Sequence, residues 1–206
     1  MTVTATTVDL LRHGEPVGGR RYRGQRDDPL SPRGWAQMLT AVEAEGPWQA
    51  VVSSPLARCA DFARALAAQR DLPLTLEPRL MEIGFGAWEG RTAAELTRDD
   101  PLRLLRFWND PEGERPPGAE PLARFEARVL AAWEDCLAAA PGGRLLLVTH
   151  AGVIRLILTR VLGMPRQHLY RLQVPSAGLS RVEVLAGGGL RHARLLFHGR
   201  PPGSWK

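Results

Sequence analysis

Two histidines occupy similar settings far apart in the chain. Arg12-His13-Gly14-Glu15 and Thr149-His150-Ala151-Gly152 each place an imidazole directly after a run rich in apolar residues and close to a glycine. Between them lie Arg58, within Ser53-Ser54-Pro55-Leu56-Ala57-Arg58, and Glu82, within Met81-Glu82-Ile83-Gly84-Phe85-Gly86. Two imidazoles, two guanidiniums and a carboxylate form a coherent set for phosphoryl transfer. Guanidinium forks keep their charge and match phosphate oxygens in pairs. A neutral imidazole is a competent nucleophile toward phosphorus, and neighbouring cations with partial burial favour that neutral form. In-line attack by His13 would give a phosphohistidine while Arg12, Arg58 and His150 hold the equatorial oxygens. Glu82 would protonate the departing alkoxide and then take a proton from the incoming water. This chemistry needs no metal and no cofactor. Singly, a strand-end histidine or a helix arginine more often serves structure; the recurrence at two strand ends carries the reading.

The flanking sequence supplies the elements that would position these groups. Val3 to Leu11 reads as a strand rich in β-branched residues and ends at Arg12-His13-Gly14. Ser31-Pro32 has the form of an N-cap followed by proline at the first helical position, opening a helix to about Glu45. Gln49 to Ser54 is a second short strand, Pro55 opens a helix that carries Arg58, and Leu74 to Leu76 is a third strand. Thr92 to Phe107 and Leu122 to Ala140 are expected to be helical, separated by a proline- and glycine-rich loop from Asn109 to Pro121. Arg144 to Thr149 is a buried strand leading into a helix from Val153 to Leu162. Leu179 to Leu185 and Leu190 to Phe197 flank Gly187-Gly188-Gly189 as a hairpin. Alternating strands and helices predict an α/β three-layer sandwich: a mostly parallel central sheet, helices on both faces, and an antiparallel edge. The whole chain, residues 1–206, is expected to be one domain. Ligands in such sheets collect at the carboxyl ends of strands, where both histidines fall.

Composition narrows the alternatives. The 206 residues are 44% hydrophobic and 24% charged, as in ordinary globular proteins. No apolar run reaches the roughly 18 residues that would span a bilayer, and residues 1–7 lack the pattern of a secretory signal. Two cysteines, Cys59 and Cys136, imply no disulfide framework, so a cytoplasmic location is expected. A net charge of +5 is carried almost wholly by arginines spread along the chain, without a basic tail or interleaved aromatics. That pattern suits a pocket for small phosphorylated anions better than nucleic acid. The sole lysine, Lys206, excludes a P-loop, and no glycine group has dinucleotide-binding spacing. A cysteine phosphatase fails because Cys59 lacks an arginine six positions later. A metal held by His13, His150 and Glu82 would sit against two arginines, a repulsive arrangement unless an anionic substrate lay between.

The ordered set of Arg12-His13-Gly14-Glu15, Ser53 to Arg58, Glu82 within Glu-Ile-Gly-Phe-Gly, and Thr149 to Gly152 resembles the histidine phosphatase superfamily, which includes the cofactor-dependent phosphoglycerate mutases. The resemblance implies that family's three-layer α/β fold, His13 as the phosphorylated nucleophile, phosphate binding by Arg12, Arg58 and His150, and proton transfer by Glu82. Finer features are similar to α-ribazole phosphatases of cobalamin assembly: Tyr22-Arg23-Gly24-Gln25 with Asp28-Pro29-Leu30, Gly86 to Arg91, and Phe107 to Pro111 leading into Pro116 to Glu120. The longer insertion of the mutases, with paired arginines ahead of a proline run, is missing, which favours water as the acceptor. Gly19, Gly84, Phe62 and Pro121 depart from the family pattern and put the substrate in doubt more than the chemistry.

Further substrate contacts are expected from Arg23, Gly24, Gln25 and Ala151. Arg20, Arg21 and Arg23 would either steer an anion inward or form a solvated face. Trp88 and Trp108 would either flank an aromatic base or pack in the core. The expected partner is a small phosphorylated metabolite, with no nucleic acid and no membrane, and the chain a monomer or a homodimer. A broad sugar-phosphate or phosphoglycerate phosphatase and a catalytically weak phospho-ligand-binding protein are the alternatives.

Overall fold

The computed structural model describes residues 2–201, so Lys206 lies outside the described residues. Six strands form one sheet in the order β3-β2-β4-β1-β5-β6. These are β1 (Thr4–Arg12), β2 (Ala50–Ser53), β3 (Leu74–Leu76), β4 (Arg144–Thr149), β5 (Leu179–Gly187) and β6 (Leu190–Arg200). The first four pair in parallel, while β5 runs antiparallel to β1 and β6 antiparallel to β5. The helices are α1 (Pro32–Val42), α2 (Ala57–Gln69), α3 (Ala93–Thr97), α4 (Arg103–Asn109), α5 (Leu122–Ala139) and α6 (Ala151–Val161). The expected α/β sandwich with an antiparallel edge is what forms.

Alternation along the central strands shows why both faces must be covered. Val8, Leu10, Leu145 and Leu147 point into one core together with Phe125, Val129, Ile154 and Ile157 of α5 and α6. Leu11, Val51, Leu146 and Val148 point into the other, against Met38 of α1 and Phe62, Ala63 and Leu66 of α2. A strand buried on both faces reads as a continuous apolar run, as Leu145 to Val148 does. Phe62, one of the departures from the family pattern, fills this second core against Trp35, with ring centroids 5.7 Å apart.

Local chemistry sets the element boundaries. Ser31 caps α1 by accepting from the Gly34 amide, and Pro32 stands at the first helical position as expected. The helix expected over Thr92 to Phe107 is instead two short helices. Thr92 and Glu95 form a reciprocal capping box at the start of α3. Pro101 then interrupts the run, because it lacks an amide donor and pushes the residue before it out of helical geometry. α4 restarts at Arg103 and runs through Asn109, into the segment expected to be loop. α6 begins at Ala151, directly behind His150, two residues earlier than the sequence indicates. The hairpin turns on Gly188 and Gly189, at φ of 62° and 79°, a conformation L side chains rarely adopt.

Candidate active site

The strand register brings the two histidines together. Arg12 at the end of β1 pairs with Thr149 at the end of β4, and the His13 amide donates to the Thr149 carbonyl at 2.9 Å. The next residues on each chain, His13 and His150, therefore leave the sheet side by side, with ring centroids 5.2 Å apart and rings tilted by 62°. β2 ends alongside, and the Ser54 amide donates to the Val148 carbonyl at 3.0 Å. The Ser54 hydroxyl then sits 2.7 Å from His150 Nε2. Motifs far apart in sequence converge because their strands are neighbours.

His13 is buried, and its Nδ1 lies 2.7 Å from the Gly14 carbonyl oxygen. A carbonyl only accepts, so Nδ1 carries the proton and the lone pair of the neutral ring resides on Nε2. Burial lowers the His13 pKa well below its usual value, with Arg12 and Arg58 adding to the effect. His150 is lowered likewise, first by burial and then by Arg58 and His13. Both rings are thus held neutral. Gly14 permits this geometry because a Cβ there would collide with the backbone of Gly34 in α1.

Two guanidiniums frame the histidines. Arg12 donates from Nη1 to the Val174 carbonyl at 2.6 Å, and burial, followed by the nearby charge of Arg155, lowers its pKa to about 10. Arg58, fully buried on α2, donates from Nη1 to the Arg26 carbonyl and from Nη2 to the Gly24 carbonyl, both at 2.7 Å. The Nε–H groups of Arg12 and Arg58 are buried and have no hydrogen-bond partner among the described residues. Neither side chain forms an ion pair there.

Glu82 is buried with its carboxylate against the start of α6. Its Oε1 accepts from the Ile83 amide at 3.0 Å and its Oε2 from the Gly152 amide at 3.1 Å. A Cβ at Gly152 would strike this carboxylate, so the glycine that opens α6 makes room for it. Arg128 of α5 holds the backbone of this segment through the carbonyls of Arg79, Met81 and Glu82, at 2.7, 2.6 and 3.0 Å. Its guanidinium also pairs with Glu120 at 2.7 Å.

The remaining expected contacts fall into different places. Gly24, at φ 53°, contributes its carbonyl to Arg58. Gln25 is exposed and donates from Nε2 to the Glu82 carbonyl at 3.3 Å. Ala151 is the buried first residue of α6, behind His150. Arg23 is buried, but its Nε pairs with Asp28 at 3.0 Å and its Nη2 with the Val17 carbonyl at 2.7 Å. It therefore braces the loop after β1 rather than standing free. Trp88 packs in the core against Phe107 and Tyr22, at centroid distances of 4.9 and 5.4 Å, whereas Trp108 is exposed. Cys59 is fully buried, its thiol 3.7 Å from His150 Nε2, and burial pushes its pKa up, so it stays a thiol.

Sequence reasoning assigned no role to Ser54, Arg128 or Arg155, although Ser54 stood within a quoted motif. Arg155 stands in the largely apolar α6, and Arg128 is one of two arginines on the amphipathic α5.

Comparison with known proteins agrees with this geometry. A family model described as the histidine phosphatase superfamily (branch 1) matches residues 8–194. A protein of Mycobacterium tuberculosis named bifunctional is 36% identical over 190 residues, covering 90% of this chain and 52% of its own length. The chain thus spans about half the length of the curated relatives it first matches. A probable phosphoglycerate mutase of Yersinia enterocolitica is 33% identical over 181 residues, covering 85% of this chain and 84% of that protein. Among solved structures, a mycobacterial glucosyl-3-phosphoglycerate phosphatase superposes with a TM-score of 0.84 at 26% identity, over 95% of this chain and 99% of that one. A putative α-ribazole-5′-phosphate phosphatase of Escherichia coli superposes with a TM-score of 0.76 at 26% identity, over 96% and 98%. Family match, fold and convergent histidines agree, and the chain belongs to the histidine phosphatase superfamily.

Proposed function

We propose that the protein is a phosphomonoesterase that takes a phosphoryl group onto His13 and passes it to water. One observation carries this reading: buried Nε–H donors of Arg12 and Arg58, without partner or counter-ion among the described residues, flank an imidazole whose Nε2 lone pair is free. Buried cations are normally paired, and these instead leave uncompensated charge acting on the His13 ring, as an anionic substrate requires.

His13 Nε2 attacks phosphorus and the bond to the ester oxygen breaks. Arg12, Arg58 and neutral His150 hold the equatorial oxygens, and the Ser54 hydroxyl fixes the His150 ring. Glu82, carrying a proton in the substrate complex, delivers it to the departing alkoxide. A water then attacks the phosphohistidine, Glu82 takes its proton, and release of inorganic phosphate restores His13. The backbone amides on Glu82 and the brace of Arg128 keep the carboxylate in place through both steps.

Water is preferred over a second sugar acid as acceptor because the mutase insertion is missing from the sequence. The substrate is a small phosphorylated metabolite, and the setting is the cytoplasm, in keeping with the free thiols Cys59 and Cys136. α-Ribazole 5′-phosphate is one candidate, supported by the loop motifs and by the likeness to a phosphatase so described. The core position of Trp88 leaves Trp108 as the tryptophan exposed to stack on its base. The test is phosphate release from α-ribazole 5′-phosphate, 3-phosphoglycerate and p-nitrophenyl phosphate with EDTA present. Turnover under EDTA supports the reading, and a clear preference in kcat/KM for the first assigns the pathway. Turnover of none would favour a phospho-ligand-binding protein instead.

A further inference from the structure

Residues 172–178 lead into β5 outside any helix or strand, and Arg12 and His13 both hang on their backbone. Backbone groups in such a segment must find their partners elsewhere. The Leu172 carbonyl accepts from Arg155 Nε at 2.8 Å and the Val174 carbonyl from Arg12 Nη1 at 2.6 Å. The Ala177 amide donates to the His13 carbonyl at 3.2 Å, and the Gly178 carbonyl accepts from the Arg12 amide at 3.1 Å. Ala177 is fully buried at φ 52°, a left-handed conformation that an alanine holds only where its surroundings impose it. The segment therefore sets where Arg12 stands, and whatever holds the segment bears on the reaction.

The carbonyl between the two arginine anchors, that of Gln173, goes to a histidine from the edge of the sheet. His198 Nε2 lies 3.0 Å from it, and His198 Nδ1 lies 2.9 Å from the Ser180 hydroxyl. A carbonyl only accepts, so Nε2 carries the proton and Nδ1 accepts from Ser180. The oxygen of Ser180, fully buried in β5, accepts in turn from the Gly199 amide at 3.0 Å. One directed chain thus runs from β6 through Ser180 and His198 to the segment that anchors Arg12, and each bond fixes the next. Burial lowers the His198 pKa, the Gln173 carbonyl opposes this, and Arg155 lowers it further, which keeps the ring neutral in this arrangement.

A break in the β5–β6 ladder aims His198. Leu179 pairs with Arg200 and Arg181 with Phe197, so His198 and Gly199 together stand opposite the single residue Ser180. A bulge of this kind re-aims a side chain, and bulges gather beside active sites. Gly199, at φ 64°, supplies its left-handed residue, and a Cβ there would come within 3.2 Å of Pro175 Cδ. The end of β6 is thereby laid directly against the segment.

Resting on the phosphatase reading, we propose that His198 is a positioning residue for Arg12: with Ser180 it pins the Gln173 carbonyl and so holds the Arg12 guanidinium at the phosphate. It acts through the backbone and does not meet the substrate.

A cycle of His198→Leu with Arg12→Lys tests this, read in kcat and KM for p-nitrophenyl phosphate. His198→Leu alone should raise KM about tenfold, the scale of one lost hydrogen bond. Phosphate binding is common to the ground and transition states, so kcat per folded enzyme should change little. His198→Gln, which keeps an amide donor near the place of Nε2, should bring KM back toward the wild-type value. Arg12→Lys removes the fork that joins Val174 to the phosphate, so His198→Leu should have almost no further effect there. If His198→Leu does not fold, Ser180→Ala takes its place in the cycle. An unchanged KM with a lowered unfolding midpoint would make the contact structural only and overturn the proposal. So would a rise in KM that persists undiminished in Arg12→Lys. If no phosphomonoester is turned over, the phosphatase reading itself fails. The same cycle in calorimetric affinity for inorganic phosphate then decides the role of His198, and equal losses in both backgrounds overturn it.

Discussion

The protein contains two arginine clusters, on the same sheet, resolved in opposite ways. Around Asp9, fully buried in β1, Arg144 donates at 2.8 Å, Arg181 at 2.7 Å and the Trp48 indole at 2.7 Å. Glu45 joins the same group by pairing with Arg144, Arg181 and Arg200. Three guanidiniums meet two carboxylates, and the charges close on one another. Near the carboxyl ends of β1 and β4, Arg12 and Arg58 meet carbonyls only among the described residues, and the nearby Glu82 spends its oxygens on backbone amides. A closed cluster holds elements together, whereas an open one costs stability and is retained for what it binds. Residue type is alike in both places, Arg58 is the more deeply buried, and the counter-ion separates structure from chemistry.

The contrast can be broken by substitution. His13→Ala is expected to abolish phosphate release while leaving a folded protein, checked by activity and circular dichroism together. Asp9→Asn should do the reverse. Removing one partner of a buried ionic cluster costs about 3–5 kcal/mol, read from urea unfolding, while the folded fraction keeps its kcat. Glu82→Gln keeps the shape of the side chain and one acceptor oxygen for the two backbone amides but not the proton transfer, so kcat should fall about 100-fold or more. Inorganic phosphate should raise the thermal midpoint by neutralising the open cluster, with about 2.7 kcal/mol at a hundred times its Kd. That shift should vanish in Arg58→Met and persist in Asp9→Asn.

The last contrast is in pH. His13 and His150 have folded pKa values well below 6.5, so the unfolded chain binds more protons as pH falls. Their contribution to stability is present above pH 6.5 and declines below it, by up to about 1.4 kcal/mol per pH unit for each histidine. Denaturant midpoints measured from pH 7 to 5 check the slope, and His13→Ala should reduce it.

The sheet and the five central residues were legible in sequence because both depend on local pattern. Buried strands are apolar runs, and reactive residues at strand ends stand out where such runs stop. The convergence of His13 with His150 could be expected from α/β topology, and the register from Arg12 to Thr149 realises it. The break at Pro101 and the early start of α6 were also written locally, in a proline and a glycine, but periodicity outweighed them. Arg128, Ser54 and Arg155 were not legible. Their partners lie on other elements, as Arg128 reaches the Met81 carbonyl and Arg155 that of Leu172. Arg23 shows the same limit in reverse, since its motif pointed to substrate while Asp28 holds it in the loop.

Rapid alkaline quenching during turnover, followed by mass spectrometry at neutral to basic pH of the peptide containing His13, tests the central claim most directly. The account predicts one acid-labile, base-stable phosphoryl group on His13 that accumulates in Glu82→Gln and is missing in His13→Ala. Steady turnover with no phosphoryl on His13, or with the group on another residue, would contradict it.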